Sequence, residues 1–92
     1  MRKYNLLDNS IAVYKKALST LKQVHKTNYL QQPETIMVLT NIATAEYLKG
    51  NHKESIRYYE HALSVAQRTS QLESAKVHLA LGHVLKDYGS QR

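Results

Sequence analysis

Apolar residues recur at steps of three and four along nearly the whole chain. Ile11, Tyr14, Leu18 and Leu21 make one such row, and Ile56, Tyr59, Leu63 and Ala66 make another. This spacing returns to one face of a helix at every turn. No alternating β-branched run and no Asn-Gly hairpin turn interrupts it, so no strand is predicted. Punctuation divides the pattern into four helices, near residues 5–26, 33–49, 52–68 and 71–88. The stretch TNYLQQ reads as the loop after the first helix. Pro33 suits the first position of the second, where a missing N–H costs nothing. Gly50 can take the left-handed conformation that ends it. Asn51 with Glu54, and Ser70 with Glu73, have the spacing of capping boxes at the third and fourth starts. Gly89 reads as the closing residue of the fourth helix. Short connections imply antiparallel neighbours, and the fold class is all-α.

The four helices are of two kinds. SIAVYKKAL at 10–18 matches SIRYYEHAL at 55–63, so that Ser10, Tyr14 and Ala17 correspond to Ser55, Tyr59 and Ala62. The offset, from Ser10 to Ser55, is 45 residues. NIATAEYLKG at 41–50 matches ALGHVLKDYG at 80–89, which pairs Ile42 with Leu81, Ala43 with Gly82, and Gly50 with Gly89 at an offset of 39. Helix pairs repeating at such a period predict a solenoid.

These residues resemble the tetratricopeptide repeat family, in its longer variety. In that family the first helix of a unit carries a large apolar residue, a small one and a turn glycine. Here these are Ile42, Ala43 and Gly50, and again Leu81, Gly82 and Gly89. The second helix carries small, aromatic and small residues, matched by Ser55, Tyr59 and Ala62. Glu46 departs from the pattern, which favours an aromatic four residues before the glycine. Tyr47 is expected to take over that packing. His52 and His78 also stand where other residues are common. The phasing makes 1–92 a single repeat domain. It opens on a second-type helix (5–26), holds one complete repeat (33–68), and closes on a first-type helix (71–88). Leu6, Leu7 and Ile11 at one end, and Val77, Leu81 and Leu85 at the other, are then expected to lack cover. Either the chain is a segment of a longer array or its ends pair with another copy.

The resemblance implies a binding groove lined by first-type helices. Its positions fall on Thr40, Asn41, Thr44 and Tyr47 in the middle repeat. In the last helix they fall on Lys76, Leu79, Ala80, His83 and Lys86. An amide at Asn41 can both donate to and accept from a peptide backbone. Lys76, His83 and Lys86 would favour an acidic segment. Repeats of this length also resemble the peptide-sensing part of bacterial regulators.

Composition narrows the remaining choices. The chain has 92 residues, a net charge of +6 and no Cys. It is too short for more than one domain. The lack of Cys removes thiol catalysis and fits a reducing, cytoplasmic setting. No apolar run is long enough to span a membrane. Arg2, Lys3, Lys15, Lys16, Lys22 and Lys26 face only Asp8 in the first segment. Such a basic helix makes nucleic-acid binding one alternative, and a self-assembling scaffold another. EYLKGNHKESI has the turn glycine and apolar spacing of a DNA-reading helix pair. However, Glu46 occupies the small-residue position, and Lys53 and Arg57 are offset by Glu54 and Glu60.

Catalytic and metal chemistry find no motif. Among the five histidines, His78 and His83 lie five apart, roughly 140° around a helix, and His52 and His61 lie on opposite sides. Neither pair has the spacing of helix-borne zinc ligands. There is no glycine-rich phosphate loop and no nucleophile motif. The sequence therefore predicts a module without enzymatic activity, cofactor or metal, which binds protein or peptide.

Overall fold

The helical spacing folds into four α-helices and one 3-10 helix in a computed structural model that describes residues 3–90. The α-helices are α1 (Lys3–His25), α2 (Pro33–Leu48), α3 (His52–Thr69) and α4 (Gln71–Ser90). No strand occurs among the described residues. Of the basic first segment, Arg2 lies outside them.

α1 ends without a glycine. Lys26 takes a left-handed φ of 51° and turns the chain into the 3-10 helix Lys26–Gln31. Five of the six residues of the predicted TNYLQQ loop are thus 3-10 helix, and the last, Gln32, is extended. Thr35 secures it by donating its hydroxyl to the Tyr29 carbonyl at 2.5 Å. Pro33 begins α2 as expected.

The α2–α3 turn is built around Gly50, whose φ is +89°. Gly50 N–H donates to the Tyr47 carbonyl at 3.0 Å, and Asn51 N–H donates to the Glu46 carbonyl at 2.9 Å. This pair of bonds is a Schellman ending, and it reverses the chain in three residues. The expected capping box is absent, because the Asn51 side chain is already committed backwards. Its amide donates to the Glu46 carboxylate at 2.9 Å and leaves the α3 start uncapped by a side chain. Glu54 instead pairs with Arg57 at 2.8 Å.

At α4, Ser70 Oγ does accept from Glu73 N–H, at 3.3 Å. The return bond of the box is missing, since Ser70 N–H still donates to Ala66 of α3 at 2.8 Å. Glu73 reaches Lys76 instead. Gly89 does not close α4. The helix runs through it to Ser90, and Gly50 is the glycine with positive φ.

The helices form two layers, with α1 and α3 in one and α2 and α4 in the other. The slab they make is 17 Å thin between Cα extremes, as two layers of helices at their usual 8–10 Å spacing require. α2 is apolar on two sides. Ile36, Leu39 and Ala43 pack with Tyr59, Ala62 and Val65 of α3. Val38, Ile42 and Ala45 pack against Ile11 of α1. Ala43 and Ala62 are fully buried, and their small size lets Ser55 Oγ reach the Ala43 carbonyl at 2.8 Å. α4 docks on α3 through Val77, Leu81 and Val84.

The residues expected to be bare at the ends need correcting. Ile11, Val77 and Leu81 are buried and Leu7 is half-buried, because they point at the neighbouring helix of the same chain. On the end helices the exposed large apolar residues are Leu6, Val13 and Val24 of α1, and Leu72, Leu79 and Leu85 of α4, and α2 exposes Met37 and Leu48.

Candidate functional site

α2 and α4 belong to the same layer and touch only lightly, so a cleft opens between them. It holds about 390 Å³. Thr44, Tyr47 and Leu48 form the α2 wall, and Ala80, His83 and Asp87 form the α4 wall. Tyr59 and Val84, both buried, form the floor. The α2 residues lie at steps of three and four, as do those of α4, so each wall is one helix stripe.

The polar groups of the cleft are held in place. Thr44 Oγ1 and Tyr59 Oη share a hydrogen bond of 2.7 Å, and Thr44 Oγ1 also donates to the Thr40 carbonyl. The Tyr47 hydroxyl donates to the Asp87 carboxylate and bridges the two walls. That bond, then loss of solvent, then the negative charge of Asp87, raises the Tyr47 pKa above the ordinary phenol value. Behind Tyr47, the His52 ring packs edge-on at 5.3 Å and stacks on Tyr88 at 6.2 Å. His52 therefore joins the α2–α3 turn to the end of α4 through its ring contacts.

Of the predicted groove residues, the cleft brings together Thr44, Tyr47, Ala80 and His83. Thr40 lies off it, with its hydroxyl turned back to the Ile36 carbonyl at 2.7 Å. Asn41 is half-buried, one turn before Thr44 on the same stripe. Lys76 is paired with Glu73 at 3.5 Å, one turn before Ala80. Leu79 and Lys86 are exposed and do not line the cleft.

Sequence reasoning missed Val84 of the floor, four residues after Ala80, and Leu48 and Asp87 of the walls. All were within reach of the same periodicity, since Asp87 follows His83 by four and Leu48 follows Thr44 by four. Among the signature residues, Gly82 is exposed, with nothing within 4 Å of where a Cβ would stand, while its counterpart Ala43 is sealed against α3.

A second cleft, of about 460 Å³, lies between α1 and α3 and is lined by Leu18, Lys22, Arg57, Tyr58 and His61. The Lys15 ammonium and the Arg57 guanidinium lie 6.0 and 5.5 Å from the Tyr58 ring centre. Lys22 lies 5.5 Å from that of Tyr29. His61 has an exposed surface, yet the cleft walls strip enough solvent to lower its pKa, and Lys22 adds to this. Asp8, the acid of the first segment, is taken by Lys49 at the end of α2. The described residues contain no cluster of metal-ligating side chains and no helix long and apolar enough to cross a membrane.

Residues 35–74 match the family model of the tetratricopeptide repeat. The match covers α2 from Thr35, the Gly50 turn, all of α3 and the first turn of α4. The chain thus carries a tetratricopeptide repeat, with the α2–α3 hairpin as its body. No curated protein and no solved structure matches the chain.

Proposed function

We propose that this repeat-bearing chain is a non-catalytic, cytoplasmic module that binds an extended peptide along the cleft between α2 and α4. One observation carries the reading. Ordered hydroxyls of Thr44 and Tyr59 and a carboxylate at Asp87 stand over a floor that includes Val84, between parallel stripes of two like helices. Apolar lining with a few fixed polar groups is what a ligand cleft needs.

The stripes extend beyond the cleft to Asn41 on α2 and Lys76 on α4. Asn41 suits a peptide amide, and Lys76 suits an acidic group at that end. Asp87 favours a basic group at the other end. The groove therefore differs in charge between its two ends, and this gives a bound peptide a direction. Short signalling peptides fit such a groove, as the sensing part of a regulator requires.

The test is calorimetry with short peptides of acidic, basic and mixed charge. Ala80→Arg fills the cleft from the α4 wall and should abolish binding while leaving the helical circular dichroism unchanged. Asn41→Ala should weaken binding by about 1–3 kcal/mol. Binding that survives both changes removes the cleft from consideration. A second reading, nucleic-acid binding, draws on the cations gathered around Tyr58 and Tyr29. It requires an affinity that falls steeply with salt and is lost in Lys22→Glu.

A further inference from the structure

The two faces by which α2 and α3 meet each other have counterparts on α4 and α1 that are open or only partly covered. On α2, Val38, Ile42 and Ala45 are buried toward α1, and Ile36, Leu39 and Ala43 are buried toward α3. At the offset of 39, the first row recurs on α4 as Val77, Leu81 and Val84, buried on α3. The second row recurs as Ala75, His78 and Gly82, and all three are exposed. Leu79 and Leu85 flank them at 69% and 46% exposure.

The opposite end shows the complement. α3 closes on α2 with Ser55, Tyr59 and Ala62. At the offset of 45, α1 carries Ser10, Tyr14 and Ala17. Ser10 is exposed, and Tyr14 and Ala17 are half-buried, each resting on the α1–α2 cluster along one side only. Leu6, Val13, Thr20 and Val24, which with Ala17 continue the Ser10 stripe at steps of three and four, are exposed.

From this we infer that α1 of a second copy docks on α4 as α3 docks on α2. Ser10 of the second copy then donates to the Gly82 carbonyl, as Ser55 donates to that of Ala43. Tyr14 stands where Tyr59 stands, and His83 stands where Thr44 stands. Gly82 leaves room for this, because nothing fills the space beside it. The occupant is a second copy and not any amphipathic helix, because α1 repeats the Ser, Tyr and Ala register by which α3 recognises this kind of face. His78 replaces the fully buried Leu39, so the contact is less apolar than its internal template and reversible. The two faces differ, which makes the contact head-to-tail. It adds copies in a row unless its rotation closes a ring. Gly82 does not line the α2–α4 cleft, so assembly and peptide binding are tested independently.

Sedimentation of the 92-residue chain over a concentration series should show mass rising beyond that of a dimer. Gly82→Leu puts a good helix former into free space and should keep the fold while blocking the α4 face. Val13→Glu with Thr20→Glu should block the α1 face. Each blocked variant should be a monomer at every concentration, and an equal mixture of the two should give a dimer and nothing larger. A parent chain that stays monomeric throughout overturns the inference and leaves both faces to other proteins or further repeats. It is equally overturned by a singly blocked variant that still self-associates, or by a mixture that stays monomeric while the parent assembles.

Discussion

Glu46 places a carboxylate in the interior, where it is 6% exposed, four residues before a turn glycine. Its hydrogen-bonding side-chain partner is the Asn51 amide 2.9 Å away, and the Lys49 ammonium adds an attraction through space. A Schellman ending commonly carries an apolar contact between these two positions, and here a charged hydrogen bond replaces it. Asn51→Ala strands the carboxylate and should cost about 1–3 kcal/mol in urea unfolding, whereas Glu46→Gln should cost far less because the amide can still bond. The glycines make a sharper test, since their environments predict opposite signs. Gly50→Ala forces a Cβ into a left-handed residue and should destabilise by roughly 1–2 kcal/mol. Gly89→Ala lies in α4 with free space around it and should stabilise by roughly 0.5–1 kcal/mol. Thermal melts of the two variants on either side of the parent are the expected result.

The α2–α3 hairpin is the element where small residues decide the packing. Ala43 and Ala62 have no exposed surface, and Ser55 reaches across to a carbonyl only because the axes are close. Ala62→Leu should overpack this contact and cost about 1–3 kcal/mol by denaturant unfolding. The α1–α3 pair behaves differently, because it is joined across an open basic cleft. His61 there titrates below its ordinary 6.5, chiefly through lost solvent and then through Lys22. A depressed value favours the neutral ring in the fold. Its contribution is therefore present above about pH 6.5 and lost as pH falls through the folded value. His61→Gln should flatten that acid-side loss, and Lys22→Gln should raise the His61 pKa in an NMR titration.

At the scale of the molecule, cover is unequal. α2 and α3 each bury two faces, whereas α1 and α4 bury one. Protection against hydrogen exchange tracks such burial. Amides around Leu39, Ile42, Ala62 and Val65 should exchange slowest at low protein concentration, and those near Val13 and Leu85 should exchange faster. Equal protection along all four helices under those conditions would show that the end faces contribute no weakness. Rising protection of α1 and α4 with concentration would instead accompany assembly.

The sequence by itself determined the four α-helices and their two kinds. These follow from period and turn chemistry, which are local, as with Pro33 and the left-handed Gly50. Half of the cleft was legible too, because Thr44, Tyr47 and His83 sit on a periodic stripe that the repeat fixes. Tertiary structure alone decided where polar side chains spend their hydrogen bonds. Asn51 had equal claims from the α3 start and from Glu46, and the geometry of the turn settled between them. Lys26 could end α1 without a glycine because Thr35 and the packed 3-10 helix hold the segment that follows. The bare faces also needed the fold. A spacing of three and four marks an apolar stripe but not the direction in which it points, and a rotation about the helix axis is what separates buried Leu81 from exposed Leu85. Asp87 entered the cleft for the same reason, since only the approach of α4 to α2 brings its carboxylate to the Tyr47 hydroxyl.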